Sequence, residues 1–173
     1  MSKCSYCGAM NMEGADVCDH CLEPLGEPAL GRVDSDVERS LLNDKVVLLL
    51  PRKPIMVEPS MPVRDVLQLF VERSIGCVPV VDDGRLVGIF TERDAVVRLG
   101  ARFEEIADQP ISEFMTSNPE TIELDAQIAY ALQRMDVGGY RHLPVISNER
   151  VVGVISIRDI LQYLARHLEV VAY

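Results

Sequence analysis

The chain repeats part of its own sequence at an offset of 65 residues, with no insertion or deletion. Residues 87–94, Val-Gly-Ile-Phe-Thr-Glu-Arg-Asp, return at 152–159 as Val-Gly-Val-Ile-Ser-Ile-Arg-Asp, and residues 78–81 return at 143–146. A repeated core would need only repeated apolar residues, yet a hydroxyl, an arginine and a carboxylate recur as well. The repeat therefore predicts two copies of one folding unit and indicates two copies of one polar surface.

Residue periodicity predicts a β-α-β-β-α order in each repeat. In the first repeat we expect strands at 55–57, 77–81 and 86–90, with a turn at 82–84. The corresponding strands of the second repeat are expected at 121–122, 143–146 and 151–155. One such unit cannot cover both faces of its sheet, so we expect the two repeats to pack as one pseudo-symmetric α/β (α+β) module.

Helix signals fall at matching places in the two repeats. Ser60 and Pro62 mark the first helix start, with Asp65 in its first turn, and Thr91 opens the next helix. Asp125 is the predicted cap of the corresponding helix in the second repeat. The residues expected to face the core in the four helices are Val63, Val66, Leu67, Phe70, Val71; Ala95, Val96, Leu99; Ile128, Ala131, Leu132, Met135; and Ile160, Leu161, Leu164, Leu168.

The region before the repeats divides into shorter segments. Residues 1–24 hold a cysteine motif, 25–43 are expected to be a linker ending in a short helix from Asp36, and 46–50 are expected to be extended. We place the first repeat unit at 44–110 and the second at 111–173. The chain begins without a signal-peptide pattern and has no apolar run near the roughly 18 residues of a membrane span, so we expect a cytoplasmic protein without membrane contact.

The charge of the chain disfavours one class of partner. The formal net charge is −10, and acidic residues outnumber basic ones in the cysteine segment too. Nonspecific attraction to nucleic acid or to an anionic membrane is therefore not expected.

Four of the five cysteines form two Cys-x-x-Cys pairs: Cys4 with Cys7, and Cys18 with Cys21. Two such pairs with this spacing favour a structural Zn²⁺ held by four thiolates, and the segment resembles the zinc-ribbon family. A redox dithiol or a pair of disulfides remains an alternative. His20 is interpreted as a solvated residue, because four cysteines already complete the ligand set. The expected role of this segment is to contact a protein partner.

The second polar motif is Gly-x-x-Thr/Ser-x-Arg-Asp, which ends at Asp94 and again at Asp159. A hydroxyl followed three residues later by an acid also fits a helix N-cap with a capping box. Recurrence, and an arginine that capping does not need, favour a ligand instead. A hydroxyl and helix N–H groups suit a phosphate, and a carboxylate suits the hydroxyls of a ribose.

The repeat order, the Val-Pro-Val-Val and Leu-Pro-Val-Ile strands and the two Gly-x-x-Ser/Thr-x-x-Asp endings resemble tandem CBS domains, a Bateman module, over about residues 44–170. The resemblance implies clefts that bind adenine nucleotides or adenosyl compounds such as AMP, ADP, ATP and S-adenosylmethionine. The implied binding residues are Met56, Cys77, Val78, Pro79, Thr91, Arg93 and Asp94 in the first repeat, and Thr121, Tyr140, Arg141, His142, Leu143, Pro144, Ser156, Arg158 and Asp159 in the second.

The two implied sites differ in charge. Arg141 and His142 stand where the first repeat has Gly76 and Cys77, so the second site is expected to bind phosphate better. His142 has an alternative interpretation as a histidine at the edge of the core, and Cys77 is interpreted as a small buried apolar residue.

These patterns predict a regulatory or sensor protein and not an enzyme, since no paired nucleophile and base and no phosphate-binding glycine loop are present. The resemblance also implies a homodimer of the CBS pair. The alternatives are an adaptor that binds no ligand and, less favoured by the charge, a regulator associated with nucleic acid.

Overall fold

The computed structural model describes residues 2–4, 7–13, 15, 17–22, 25, 36–100 and 103–170. The predicted linker at 25–35 lies outside these residues except for Leu25. The helices are α1 (Asp36–Asn43), α2 (Val63–Arg73), α3 (Glu92–Asp94), α4 (Phe103–Ile106), α5 (Ile128–Gly138) and α6 (Ile157–Val170). The strands are β1 (Ser2–Lys3), β2 (Met10–Asn11), β3 (Cys77–Asp82), β4 (Arg85–Thr91), β5 (Thr116–Ser117), β6 (Ile122–Glu123), β7 (His142–Ser147) and β8 (Arg150–Ser156).

Shorter helical turns connect these elements. Val46–Leu49 and Ile111–Glu113 are 3₁₀ turns, and Ala95–Leu99 continues α3 as a π-helical turn. The mixture of short sheets and helices confirms the predicted α+β class. Among the described residues, no helix combines the length and the apolar character needed to cross a lipid bilayer.

The chain forms two compact units that do not coincide with the two repeats. The first consists of the described parts of Met1–Pro51, Ile122–Arg141 and Ile155–Tyr173. The second consists of Arg52–Thr121 and His142–Val154, so it contains the first repeat together with a hairpin segment of the second. The domain boundaries drawn from the sequence stay a prediction.

In the second unit the sheet is built around the β3–β4 hairpin, which pairs antiparallel from Cys77 opposite Thr91 to Asp82 opposite Arg85. The turn residues Asp83 and Gly84 have φ values of 46° and 78°. The aspartate tolerates this left-handed conformation and glycine adopts it without strain, which confirms the predicted turn. β5 extends the sheet on the other side of β4.

The core of this unit packs α2 and the turns after it against β3 and β4. Phe70 and Phe90 stack with their ring centroids 5.9 Å apart. The buried residues of this cluster are Val57, Val63, Val66, Phe70, Val78, Val80, Phe90, Leu99, Ile106 and Ile111. Burial of this many branched and aromatic side chains supplies the main free energy that orders the strands.

In the first unit, backbone hydrogen bonds join the 3₁₀ turn to the segment before α5. The Val46 and Val47 N–H groups donate to the carbonyls of Ala126 and Leu124 at 2.8 and 3.1 Å. Val46 and Leu49, three residues apart, are both buried, whereas Leu48 and Leu50 are exposed. The prediction of an extended segment at 46–50 is therefore wrong, because burial at a spacing of three matches the 3₁₀ repeat.

Two other local predictions are wrong for reasons of backbone bonding. Residues 55–57 form no strand, and only Val57 makes an isolated parallel bridge, to Val80. Asp125 does not cap α5, which begins after Gln127 without a side-chain cap. The Ile128 N–H donates to the carbonyl of Asp44 at 2.9 Å, so a tertiary contact satisfies the helix start.

Three apolar helix residues predicted to face the core are exposed instead: Val71 by 82%, Val96 by 77% and Leu161 by 58%. In α2 the buried residues are Val63, Val66 and Phe70, which leaves the neighbouring Val71 outside that face. The wider π turn after α3 buries Leu99 and exposes Val96. The side chain of Leu168 lies outside the described residues.

Candidate functional site

In the first repeat, Thr91 and Asp94 form a reciprocal capping box at the start of α3. The Asp94 Oδ2 accepts from the Thr91 N–H at 3.0 Å and from the Thr91 hydroxyl at 2.7 Å, and the Asp94 N–H donates to Thr91 Oγ1 at 3.2 Å. Thr91 is the last residue of β4, so the end of this strand places it at the start of α3. The capping interpretation is therefore confirmed for the first repeat.

The second repeat reproduces two of these contacts at the same offset. Asp159 Oδ2 accepts from the Ser156 N–H at 2.7 Å and from the Ser156 hydroxyl at 2.6 Å. The next contact along the chain is repeated too. The Glu92 N–H donates to the Gly76 carbonyl at 3.0 Å, and the Ile157 N–H donates to the Arg141 carbonyl at 3.0 Å. The sequence repeat is therefore a repeat of hydrogen bonds.

Capping and ligand binding would use the same hydroxyl and carboxylate groups, but capping does not use the two arginines of the motifs. Each hydroxyl donates its proton to a carboxylate, so a ligand phosphate must compete for that proton. Arg93 and Arg158 are exposed, and the four capping side chains are half-buried. The role of these residues in binding a ligand stays a prediction.

The strand residues predicted to line the base pocket are deeply placed. Cys77, Val78, Pro79, Leu143 and Pro144 are all buried. The burial of Cys77 confirms its interpretation as a small core residue. Met56 is 47% exposed and Thr121 is half-buried, so these two positions offer accessible surface beside the strands.

The rings of two predicted site residues, His142 and Tyr140, each pack against a glycine. The ring of His142 lies against Gly76, where an added Cβ would approach His142 Nε2 to 3.1 Å and Glu92 Oε2 to 3.3 Å. The ring of Tyr140 occupies the space beside Gly138 in the same way. The imidazole of His142 and the carboxylate of Glu92 are thus near neighbours. The sequence did not indicate this proximity.

The structure brings the first set of predicted residues into one compact unit. Met56, Cys77–Pro79, Thr91, Arg93 and Asp94 all belong to the unit that contains Arg52–Thr121. The second set is divided: Thr121 and His142–Pro144 belong to this unit as well, whereas Tyr140, Arg141, Ser156, Arg158 and Asp159 belong to the other.

A cavity of about 660 Å³ lies within the unit that contains the first repeat. Its lining consists of Met56, Val57, Glu58, Pro59, Ser60, Val81, Asp82, Asp83 and Gly84. Of the predicted binding residues it includes Met56, and its other walls are formed around the β3–β4 turn. This acidic cavity therefore does not coincide with the two capping motifs.

The four N-terminal cysteines meet in one place. Their Sγ atoms all lie within 4.8 Å of one another. Cys4 and Cys21 are 3.6 Å apart, and so are Cys7 and Cys18. Four thiolates about 2.3 Å from one tetrahedral Zn²⁺ would be about 3.8 Å apart, so the donor set fits this ion. All five cysteines are described, and none forms a disulfide.

The two knuckles are built alike. The Gly8 N–H donates to the Cys4 carbonyl at 3.0 Å, and the Leu22 N–H donates to the Cys18 carbonyl at 2.8 Å. Gly8 and Leu22, each directly after the second cysteine of its pair, have φ values of 76° and 61°. Glycine suits this conformation, whereas leucine adopts it with strain.

The cysteine cluster has an asymmetric electrostatic environment. Burial raises the pKa of the Cys7 thiol. Burial also opposes ionisation of Cys18, but N–H groups of Cys21 and His20, followed by hydrogen bonds with the Cys7 and Cys21 thiols, lower its pKa to about 6. His20 is exposed and supplies its backbone N–H, which supports its interpretation as a residue outside the ligand set.

Asn11 is a buried polar residue that sequence inspection missed. Its side chain donates to the Ala9 carbonyl at 2.9 Å and accepts from the Asp19 N–H at 3.0 Å, so it joins the loops of the two knuckles. An asparagine between two Cys-x-x-Cys pairs carries no sequence signal of this role.

Comparison with known proteins identifies the same two repeats. The family model of the CBS domain matches twice, over residues 49–100 and 111–166. The chain belongs to the CBS domain family. This result confirms the family that the repeat motifs indicated.

Relatives of this CBS pair include proteins of known structure. A 17.7 kDa protein of Acidianus ambivalens is 34% identical over 122 residues, which cover 69% of this chain and 73% of that protein. The CBS-domain protein ATU1752 of Agrobacterium tumefaciens has a similar structure, with a TM-score of 0.63, 30% identity, and coverage of 68% of this chain and 94% of that one. Five other curated relatives are longer, and the chain spans 16–44% of their length.

One similar structure contains adenosyl ligands. The CBS domain pair of protein MJ0100 was crystallised with 5′-methylthioadenosine and S-adenosyl-L-methionine. It is 26% identical to this chain with a TM-score of 0.62, and the match covers 70% of this chain and 96% of that one.

Proposed function

We propose that this chain is a regulatory protein, not an enzyme, whose CBS pair binds an adenine nucleotide or another adenosyl compound. The main support is the repeat of one hydroxyl–carboxylate arrangement, with matching hydrogen bonds, in a family that has a member solved with adenosyl ligands. A ligand that prefers one conformation of the protein shifts its population toward that conformation.

The proposed roles follow from the chemistry of each side chain. Thr91 and Ser156 contact phosphate, and Asp94 and Asp159 accept hydrogen bonds from ribose hydroxyls. Arg93 and Arg158 add positive charge. Val78–Pro79 and Leu143–Pro144 border the base, with Met56, Cys77, Thr121 and Tyr140 at the edges of the two sites.

We propose that the second site binds phosphate more strongly. Arg141 gives it positive charge, His142 can offer a ring N–H, and its residue after the hydroxyl is Ile157. At the matching positions the first site has Gly76, Cys77 and the acidic Glu92. A carboxylate beside Thr91 repels a phosphate, while the arginine attracts one.

Calorimetric titration with AMP, ADP, ATP and S-adenosylmethionine tests this function. We expect saturable binding of at least one of them, and Asp159→Ala should lose most of that affinity. Arg64→Ala is the matched control, since Arg64 is an exposed residue paired with Asp108 at 2.6 Å. No heat with any of the four compounds would favour the adaptor that binds no ligand, in which the two motifs serve only as helix caps.

For the N-terminal segment we propose a structural Zn²⁺ held by Cys4, Cys7, Cys18 and Cys21, in a module that contacts a protein partner. Zinc binding would fold this small module, since the free energy of binding becomes free energy of folding. Metal analysis of protein purified under reducing conditions without chelators should give about one zinc per chain. A metal-free protein under these conditions would refute the proposal.

We also propose that the CBS pair forms a homodimer and that the protein works in the cytoplasm. Val96 and Leu161 are 65 residues apart, so they occupy equivalent positions in the two repeats, and both are exposed apolar side chains. Repeated apolar exposure suits an interface that uses both repeats.

A further inference from the structure

Arg98 joins the first capping motif to the segment that leads into β5. Its Nε lies 3.3 Å from Asp94 Oδ1. Its Nη1 donates to the carbonyls of Phe114 and Met115 at 2.7 and 2.6 Å, and its Nη2 donates to the Thr116 hydroxyl at 3.0 Å. One guanidinium therefore bonds the proposed ribose-binding carboxylate and three consecutive residues of the segment 114–116.

These contacts restrict what Asp94 can still accept. A carboxylate has about four acceptor positions. The Thr91 N–H and hydroxyl occupy both positions of Oδ2, and Arg98 occupies one of Oδ1. A ribose offers two hydroxyl donors, but one acceptor position remains. While the Thr91 hydroxyl keeps its bond to Asp94, recognition of both ribose hydroxyls therefore requires Arg98 to leave Asp94.

The second repeat lacks this arginine. The position equivalent to Arg98 is Tyr163, whose hydroxyl donates to Asp44 Oδ2 at 2.6 Å. The side chain at this position therefore has a different partner in each repeat. The first repeat places a cation on its carboxylate, and the second directs the equivalent side chain to Asp44.

We propose that Arg98 is a positioning and specificity residue of the first repeat, which makes recognition of a ribose diol compete with the bond between Asp94 and the segment 114–116. This inference rests on the proposed function, in which Asp94 contacts ribose. A ligand with both hydroxyls releases Arg98 and loosens the segment 114–116. A ligand with one hydroxyl fits the remaining acceptor position and leaves Arg98 in place.

The test compares AMP with 2′-deoxy-AMP, which carry the same charge, so any effect of Arg98 on phosphate attraction cancels in the ratio of their affinities. Calorimetry is done on the full chain with Asp159→Ala, which removes the second site, and with or without Arg98→Ala. We expect Arg98→Ala to raise the preference for AMP about twofold to fivefold, the range of one weak charged contact. Arg98→Lys should give a smaller increase, and Arg64→Ala should leave the ratio unchanged.

Hydrogen exchange of residues 113–119 in the otherwise unaltered protein gives a second measurement. AMP should increase exchange there, 2′-deoxy-AMP should not, and Arg98→Ala should exchange fast with or without ligand. Binding of AMP with an unchanged ratio and no exchange response would refute the role of Arg98 alone. Absence of AMP binding in both the unaltered protein and Arg98→Ala would refute this inference, and the proposed function would be refuted only if ADP, ATP and S-adenosylmethionine also failed to bind.

Discussion

At the scale of single residues, the motif glycine Gly88 is required by a neighbour that lies far away in the sequence. An added Cβ at Gly88 would clash with Met115 Sδ and lie 2.9 Å from Met115 Cγ. The repeat marks this glycine as part of a motif, but only the structure identifies Met115 as the reason for it.

Gly88→Ala should therefore destabilise the protein by about 1–3 kcal/mol, the usual cost of overpacking. Urea unfolding followed by circular dichroism measures this change. Because the obstacle is one flexible side chain, Gly88→Ala combined with Met115→Ala should cost less than the sum of the two single changes. Additive costs would mean that the contact with Met115 is not the cause.

The two cysteine knuckles differ at the residue that follows each pair. Gly8→Ala should weaken zinc retention, and Leu22→Gly should not, because Leu22 already holds a left-handed backbone against its preference. The expected effect of Gly8→Ala is about 1 kcal/mol. Competition with a chromophoric chelator measures it, and equal effects of the two substitutions would contradict the strain argument.

At the scale of elements, a tyrosine fixes α6 to the segment between α1 and the 3₁₀ turn. Tyr163 is buried, its hydroxyl donates to Asp44 at 2.6 Å, and its ring lies 4.3 Å from that of His167. Burial, then the hydrogen bond and the negative charge of Asp44, raise the pKa of Tyr163 to about 12 from 10.0. The folded state therefore holds this proton more tightly than the unfolded state does.

A raised pKa contributes stability that is complete below pH 10 and is lost as the pH rises toward 12. Tyr163→Phe should cost about 1–2 kcal/mol near pH 7, because Asp44 loses its donor. Its stability should then fall less than that of the unaltered protein between about pH 10 and 12, the window set by the two pKa values. Thermal unfolding across this range measures both effects, and parallel curves would contradict them.

Elements were predictable where local chemistry decides them. The β3–β4 turn and the hydroxyl–carboxylate contacts of Thr91 and Ser156 follow from residues within a few positions of each other. The 3₁₀ turn at Val46–Leu49 and the start of α5 do not, since carbonyls of Ala126 and Asp44 complete their hydrogen bonds. A local pattern cannot contain a partner that lies 80 residues away.

At the scale of the whole molecule, the proposed homodimer predicts that exposed apolar residues of both repeats lie in its interface. Val96→Asp together with Leu161→Asp should shift the protein from dimer to monomer, because charges would be buried at an interface without partners. Sedimentation velocity measures the shift. Val71→Asp is the matched control: Val71 is equally exposed, but its equivalent in the second repeat is already Asp136. A monomer before any substitution, or a dimer unaffected by the pair, would refute the interface.

The sequence by itself determined the family, the two copies of the Thr/Ser–Asp arrangement and the grouping of four cysteines. Each depends on residues whose spacing along the chain already places them together, and each sets the type of contact made. The tertiary structure decided which side chains from distant parts of the sequence come into contact. It placed Met115 on Gly88, His142 on Gly76 and Arg98 on the carbonyls of Phe114 and Met115, and it assembled compact units that cut across the repeats. These contacts depend on how distant segments pack, and packing is a property of the folded volume that no local pattern records.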